Sequence, residues 1–186
     1  MKIKSPLLIR FFKDFMPLMI FGMMGLYFAV QLVMIPELLP TPTALKNRPV
    51  PAISLPLLDS EEKLDEKKLG EGAVIIHFFA SWCAPCRAEQ PMLLQLAYQH
   101  QRPIIGIAYK DTPENIRKYL QETGNPYTKV ALDENGLTGI DFGINGVPEL
   151  YVVDAAGLIR YRYVGPLTKA IMVEKILPLM NGETVQ

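Results

Sequence analysis

The chain has 186 residues, of which 49% are hydrophobic, and its 19 basic and 19 acidic side chains give a formal net charge of zero at pH 7. No basic patch or tail of the kind that binds nucleic acid is present, so no nucleic-acid partner is expected. Outside the apolar N-terminal segment about 150 residues remain, enough for one stable domain and too few to suggest a second.

The N-terminal segment predicts a membrane anchor. Residues 15–35 carry no charge, and a helix of that length, rising about 1.5 Å per residue, can cross the roughly 30 Å hydrocarbon core of a bilayer. Residues 1–14 hold four bases and one acid; the positive-inside rule leaves this basic segment in the cytoplasm and the rest of the chain on the other side.

Two other interpretations of this segment stay open. A cleavable signal peptide would have a shorter apolar core and a small-x-small site, which residues 30–36 lack. A buried core helix would be expected to show a polar face. These criteria favour an uncleaved anchor. After it, residues 36–50 are rich in proline and predict a semi-rigid linker to a domain over residues 51–183.

The domain begins with alternating strands and helices. Residues 73–79 are a nearly continuous apolar run, typical of a strand buried on both faces, and residues 84–99 predict a helix. Residues 103–109 predict a second buried strand. A helix over 113–123 follows, with Thr112 as its N-cap and Gly124 at its end.

The C-terminal part predicts a hairpin and a helix. Strands at 149–154 and 158–164 are joined by a tight turn, and the last helix spans 167–180, with its expected buried positions at Ile171, Val173, Ile176 and Leu177. Strand-helix-strand units followed by a hairpin and a helix indicate an α/β fold with a mixed central sheet flanked by helices.

Both cysteines lie in the segment Trp82-Cys83-Ala84-Pro85-Cys86, between the first buried strand and its helix. Two thiols at this spacing can close a disulfide and exchange it with another protein through a mixed disulfide. Cys83 falls at the predicted helix N-terminus, where backbone N–H groups and the helix dipole stabilise a thiolate. The sequence therefore predicts Cys83 as the nucleophile and Cys86, one turn further, as the resolving thiol.

Structural uses of this pair fit less well. A zinc site needs about four ligands, and beyond the cysteines the chain offers two histidines, so no metal site is expected. Covalent haem attachment would need His rather than Arg at position 87. A structural disulfide over so short a loop constrains the unfolded chain little.

The order of several segments resembles the thioredoxin fold, and more closely its membrane-anchored CcmG/DsbE branch, which acts in cytochrome c maturation. The similarity runs from about Pro51 to Met180 and is carried by these segments: Ala80–Glu89 with Pro91, Gly106–Asp111, Gly124–Tyr127, Gly143–Glu149 and Gly157–Arg162.

The resemblance implies a thiol:disulfide oxidoreductase on the periplasmic side of a bacterial inner membrane, anchored by one span. It would reduce the CxxCH cysteines of apocytochrome c for haem attachment within the cytochrome c maturation machinery, and a DsbD- or CcdA-type membrane carrier would re-reduce it. No cofactor is implied beyond the redox-active Cys83–Cys86 disulfide. A general periplasmic reductase or oxidase and a copper carrier that binds through the CxxC remain alternatives.

The resemblance also implies roles around the cysteines. Trp82, Val147 and Pro148 would bind the substrate, with Pro148 in the cis form and the Val147 backbone pairing with an extended segment. Glu149 would lie near the cysteines and take part in proton transfer or disfavour the thiolate; as an alternative it is a surface acid at a strand start.

His77 stands where this branch often has Asn. It either relays a proton when Cys86 attacks or is a core histidine held neutral by a backbone partner. Arg87 and Glu89 are expected to form a local surface pair or to contact a partner, and residues 109–111 to form a surface turn or an edge of the site.

Overall fold

The computed structural model describes residues 6–38, 45–69 and 72–183, without the side chains of residues 6–13, 32–38 and 68. Its contacts divide the chain into two units, residues 1–41 and 42–186. The described part of the first unit is helix α1, Pro6–Leu38. Within α1 the window Asp14–Gln31 has a mean hydropathy of 1.3 and is not buried. By length and composition α1 could span a membrane.

The second unit is built on two sheets. Strands β1 (Ser54–Pro56) and β2 (Lys63–Asp65) form a small antiparallel hairpin, followed by the 3₁₀ turn Glu66–Lys68. The main sheet has five strands in the order β5-β4-β3-β6-β7. Its strands are β3 (Val74–Phe79), β4 (Ile104–Tyr109), β5 (Lys129–Asp133), β6 (Glu149–Val153) and β7 (Ile159–Val164).

The sheet is mixed, as the sequence predicted. Strands β3, β4 and β5 are parallel, whereas β6 and β7 are antiparallel to their neighbours. The connecting helices are α2 (Ala84–Leu94), which continues as a π-helix over Gln95–Gln99, α3 (Pro113–Thr123) and the short α4 (Leu137–Asp141). The C-terminal helix comprises α5 (Lys169–Ile171), a π-helical segment (Met172–Ile176) and α6 (Leu177–Met180).

Each face of the sheet has its own core. On the helical face, α2, α3 and the C-terminal helix bury Leu93, Tyr119 and Ile176 in one cluster that also contains both cysteines. On the opposite, hairpin face, Leu55 and Phe142 pack in a second cluster. Alternate residues of β3 enter the two clusters, so this strand is buried throughout, as the apolar run predicted.

Several local predictions are confirmed. The Thr112 side chain accepts a hydrogen bond from the backbone N–H of Asn115, and Gly124 ends α3 with a φ of 87°. This positive φ is readily adopted only by glycine. The CxxC helix begins one residue after Cys83.

Other predictions need correction. Val173 is half exposed, and the C-terminal helix buries Met172, Ile176 and Met180. A π-helical turn widens the helix at this point, so the buried face does not follow the regular spacing assumed from the sequence. Strand β5 and helix α4 were not predicted, because each is only five residues long and depends on its neighbours.

The predicted linker, residues 36–50, needs correction at its start, because residues 36–38 continue α1. Residues 39–44 lie outside the described part of the chain, and the end of the predicted linker is paired with the domain. The Asn47 backbone N–H donates to the carbonyl of Ile159, and the Ile159 N–H donates to the carbonyl of Arg48. Pro49 forms an antiparallel bridge with Leu158. This segment therefore covers part of the β7 edge, and the domain's contacts begin before residue 51.

Candidate active site

The two cysteines form a disulfide at the start of α2. Their Sγ atoms are 2.14 Å apart and their Cα atoms 5.3 Å apart. Cys83 is the N-cap residue, with extended backbone, and its Sγ accepts a hydrogen bond from the backbone N–H of Cys86 at 3.1 Å. In the reduced state the same N–H can stabilise a Cys83 thiolate, because it is one of the unpaired donors at a helix N-terminus.

The two cysteines differ in their exposure to solvent. The exposed fraction is 4% for Cys83 and zero for Cys86. Cys83 lines an open surface depression of about 420 Å³ together with these residues: Ser81, Trp82, Ala84, Arg87 and Ala88. Trp82 is 60% exposed at its rim. A partner can therefore approach Cys83 from this depression, whereas Cys86 is positioned to react only with Cys83.

The loop that leads into the cysteines is held by Asp111. One carboxylate oxygen of this buried residue accepts the backbone N–H of Ser81 at 2.7 Å, and the other accepts that of Thr112 at 2.8 Å. The indole N–H of Trp82 donates to the carbonyl of Lys110 at 3.3 Å. Residues 110 and 111 thus support the CxxC loop and lie at an edge of the site, which was one of the two alternatives from the sequence.

The loop before β6 adjoins Cys83. The Val147–Pro148 peptide bond is cis, as the resemblance implied. The carbonyl oxygen of Val147 lies 3.5 Å from the Cys83 Sγ, and the Pro148 carbonyl accepts the backbone N–H of Gly165 at 2.9 Å. The structure therefore brings Trp82, Val147 and Pro148 to the cysteine pair.

Glu149 does not share a sheet face with the cysteines. In the β3–β6 register Glu149 pairs with Phe78, and His77 pairs with Leu150; directly paired residues point to the same face. Glu149 therefore faces the hairpin side with Phe78, while the cysteines and Leu150 belong to the helical-face cluster. The expectation that its side chain lies near the cysteines needs correction, and so does the surface-acid alternative, because Glu149 is fully buried.

The carboxylate of Glu149 is instead fully occupied. Its Oε1 accepts the backbone N–H of Asn145 at 2.9 Å. Its Oε2 lies 2.8 Å from Nε and 2.7 Å from Nη2 of Arg162 and accepts the Tyr151 hydroxyl at 3.2 Å. Arg162 also donates to the carbonyl of Gly143. Glu149 therefore anchors the loop that leads to Pro148.

His77 is buried on the helical face, and its partners are side chains. Its Nδ1 lies 3.0 Å from the Tyr127 hydroxyl, and its Nε2 lies 2.8 Å from Oε1 of Glu89. The Nε2–Oε1 pair is a close contact without hydrogen-bond alignment. The alternative of a histidine held by a backbone partner is thus not what the structure shows.

Glu89 is the functional candidate that the sequence interpretation missed. It is 4% exposed, and its Oε2 accepts the backbone N–H of Leu167. Arg87, expected to pair with it, instead contacts Glu122 at 3.2 Å. The sequence spacing could have pointed to Glu89, because it follows Cys86 by three residues in a helix and both side chains therefore lie on one face.

Two tyrosines near His77 and Glu89 have pKa values well above the ordinary value for tyrosine. Burial, followed by the charges of Tyr119 and Glu89, raises the pKa of Tyr127 well above 10. Burial and then Glu89 raise the pKa of Tyr119 to about 12, although Arg87 and Thr123 act in the opposite direction. Both phenols are therefore neutral over the physiological pH range. Among the described residues there is no group of three or more His, Cys, Asp or Glu side chains that could hold a metal ion.

Comparisons with known proteins agree with this arrangement. A family model described as Redoxin matches residues 45–177. The thiol:disulfide interchange protein HelX of Rhodobacter capsulatus is 43% identical over 142 residues, which are 76% of this chain and 80% of that protein. The thiol:disulfide interchange protein DsbE of Yersinia pestis is 36% identical over 172 residues, covering 89% of this chain and 90% of that protein.

Solved structures extend the comparison to the fold. A crystal structure of a thiol:disulfide interchange protein DsbE from Chlorobium tepidum superposes with a TM-score of 0.59 at 23% identity, covering 73% of this chain and 94% of that one. The thio-disulfide isomerase of Thermus thermophilus gives a TM-score of 0.61 at 22% identity, covering 75% of this chain and 99% of that one. At these identities the likeness concerns the thioredoxin-like fold alone.

Proposed function

The chain belongs to the Redoxin family and, within it, to the thiol:disulfide interchange proteins such as HelX and DsbE, and on this premise we propose that it reduces the CxxCH cysteines of apocytochrome c for haem attachment. It is a thiol:disulfide oxidoreductase with a thioredoxin-like fold. The observation that carries the proposal is the capped Cys83, which lines an open surface depression and is joined to the fully buried Cys86.

The reaction uses the two sulfurs in turn. The Cys83 thiolate attacks one sulfur of the substrate disulfide, and the other substrate sulfur leaves as a thiolate. Cys86 then attacks Cys83, the Cys83–substrate bond breaks, and the substrate is released as a dithiol. The products are reduced substrate and the Cys83–Cys86 disulfide, so no cofactor is required beyond this pair.

The substrate segment would lie in the depression beside Cys83. Trp82 offers an exposed aromatic ring at the rim. The Val147 backbone, held next to Cys83 by the loop before β6, would pair with an extended peptide. In this arrangement Trp82, Val147 and Pro148 bind the substrate while Cys83 and Cys86 carry out the exchange.

The cellular setting is part of the same proposal. α1 contains one apolar window long enough for a membrane span, and the basic residues before it would remain in the cytoplasm. The redox domain would then act in the periplasm, anchored by a single pass in the inner membrane. A DsbD- or CcdA-type carrier would supply electrons, and the protein would work with the cytochrome c maturation machinery.

A trapping experiment tests the substrate. In the full-length Cys86→Ser variant Cys83 cannot be resolved, so substrates remain attached through a disulfide and can be recovered and identified. We expect apocytochromes c to be recovered, with none from the matched Cys83→Ser variant, which keeps Cys86 and lacks the attacking sulfur. Recovery of a broad set of unrelated proteins would overturn the dedicated role and indicate a general oxidoreductase.

A reduction-potential measurement tests the direction. A reductant should lie well below the roughly −120 mV of a strongly oxidising protein disulfide. The full-length protein is equilibrated with glutathione buffers, and the redox state is read from its single tryptophan, Trp82. A potential as high as that of the oxidant would contradict reduction as the physiological direction.

A further inference from the structure

Helix α4 turns its large apolar side chains outwards. Leu137 is 58% exposed and Ile140 is 65% exposed, and their spacing of three residues places both on one side of the helix, called here the α4 apolar face. Thr138 and Gly139, between them, are buried. A helix on the surface of a globular domain ordinarily has the opposite arrangement, with its large apolar side chains towards the core. An inverted helix of this kind is typical of a surface that binds a partner.

Close packing and a buried acid hold α4 in this orientation. A Cβ added at Gly139 would lie 2.7 Å from the ring of Tyr109, so the inner side of the helix has no room for a larger residue. The carboxylate of Asp133 accepts the backbone N–H of Gly139 at 2.8 Å and that of Thr138 at 3.3 Å. Because these contacts prevent rotation of the helix about its axis, the α4 apolar face cannot turn into the core.

The α4 apolar face lies at the same edge of the sheet as the redox pair. Strands β3, β4 and β5 are parallel, so their carboxyl ends meet at one edge, where Cys83 follows β3 and α4 follows β5. Lys110 follows β4 between them. Its carbonyl accepts the indole N–H of Trp82 at 3.3 Å, and a Cβ added at Gly136, just before α4, would meet its side chain. Lys110 therefore connects the exposed Trp82 ring to α4.

A short loop connects α4 to the substrate-binding backbone on the other side. The backbone N–H of Ile144 donates to the carbonyl of Gly139 at 2.9 Å, and a Cβ added at Gly139 would lie 2.9 Å from the Ile144 side chain. The loop is therefore packed against the helix before it reaches Val147 beside Cys83. One flank of an extended segment paired with the Val147 backbone would run along this loop towards α4.

We propose that the α4 apolar face binds apolar side chains of the substrate polypeptide that flank its reactive cysteines. This inference rests on the proposed function and adds a determinant of which flanking sequences react fast. The occupant is a substrate segment because the face is continuous, through Trp82 and through the loop to Val147, with the surface at which Cys83 must meet its substrate. Leu137 and Ile140 bind the flanking segment and do not touch the reacting sulfurs.

The charges near the α4 apolar face are of both signs. Glu134 and Asp141 are exposed close to it in the chain, and the exposed Lys110 lies against the start of the helix. A partner therefore meets no field of a single sign here. The face distinguishes substrate segments by their apolar character and not by their net charge.

The test compares two disulfide peptides as substrates of the reduced full-length protein in lipid nanodiscs. Both contain an oxidised CxxCH segment; the flanking residues are leucine and phenylalanine in one peptide and serine and glutamine in the other. Acid-quenched samples are analysed by mass, which gives the second-order rate constant of each reaction. The rates are measured for the wild type, for the double variant Leu137→Gln/Ile140→Gln, and for Val173→Gln, whose side chain is 50% exposed on the C-terminal helix. Oxidised glutathione serves as a substrate without flanks.

We expect the wild type to reduce the peptide with apolar flanks about tenfold faster than the other, because its flanking side chains are removed from water on binding. The double variant should lose this preference and keep the wild-type rate with oxidised glutathione, which shows that the fold and the redox pair are intact. Val173→Gln should keep the preference. So should Leu137→Met/Ile140→Met, which preserves the apolar character of the face.

A preference that is absent from the wild type, or unchanged in the double variant, would overturn the proposal. A double variant that differs from the wild type only in self-association, measured by light scattering in detergent, would also overturn it and would identify the face as a contact between copies of the chain. A third peptide, with the same apolar flanks around two cysteines outside a CxxCH segment, separates this inference from the proposed function. Equal rates with the two apolar peptides would contradict a dedicated role in reducing apocytochrome c and would leave the flank preference standing.

Discussion

Arg162 and Glu149 form an ion pair beneath the loop that carries Pro148. The Glu149 side chain is completely buried, and that of Arg162 is 10% exposed. Because Arg162 also binds the carbonyl of Gly143, the pair links strands β6 and β7 to the segment next to Cys83. The carboxylate that the resemblance implied as a participant in the chemistry is thus a support for the loop.

Arg162→Met should destabilise the protein by about 3 kcal/mol, because it leaves the Glu149 carboxylate buried without a cation. The measurement is the free energy of unfolding in urea, followed by circular dichroism. The matched control is Arg87→Met, whose pair with Glu122 is 46% exposed on both sides and should contribute less than about 1 kcal/mol. Equal losses in the two variants would contradict the importance of burial here.

Gly106→Ala should destabilise the domain by about 1–3 kcal/mol through overpacking. A Cβ at this position would lie 2.8 Å from the Phe79 ring and 2.9 Å from the Tyr127 ring. Thermal unfolding measures the loss. Gly146→Ala serves as the control, since its Cβ would meet no atom within 4 Å; the prediction fails if both variants unfold at the wild-type temperature.

Asp111→Ala should slow the exchange reaction without removing it. The substitution leaves the backbone N–H groups of Ser81 and Thr112 without their acceptor, which costs about 1–3 kcal/mol and loosens the loop before Cys83. We expect a severalfold lower rate of reaction between Cys83 and oxidised glutathione. Asp59→Ala, which removes an exposed acid paired with Arg117, is the comparison, and an unaltered rate in Asp111→Ala would argue against this supporting role.

Alkaline pH should destabilise the fold through its buried tyrosines. Burial raises the pKa values of Tyr119, Tyr127 and Tyr151 above 10. Because the pKa of each phenol is higher in the folded than in the unfolded state, the stability that the neutral phenol contributes is complete below pH 10. This stability is lost as pH rises through the folded pKa values, at about 1.4 kcal/mol per pH unit for each residue.

The measurement is urea unfolding of the oxidised protein between pH 9 and 11.5, where the disulfide-bonded cysteines do not titrate. Tyr119→Phe should show a shallower decline than the wild type, since its group titrates at about 12 in the folded state. The exposed Tyr98→Phe is the control. If the free energy of unfolding declined in parallel in all three proteins, the raised pKa of Tyr119 would be refuted.

The features that the sequence predicts correctly are local ones. The apolar run of β3, the Thr112 cap and the Cys83 position at the start of α2 depend on residues close together in the chain. Strand β5 has no such local signal, because Lys129–Asp133 is a short edge strand whose pairing with β4 supplies its stability. The π-helical turn that exposes Val173 likewise has no local signal, because it leaves no regular spacing of buried residues in the sequence.

The sequence by itself thus determined the redox pair, the order of the main elements and an apolar segment long enough to span a membrane, since each depends on local spacing and composition. Only the tertiary structure decided which groups each buried acid contacts. The β3–β6 register places Glu149 and His77 on opposite faces of the sheet, and the packing of α2 brings Glu89 to His77. A strand register and a helix packing angle are set by contacts between residues far apart in the chain, and for that reason a buried carboxylate could be foreseen but not its neighbours.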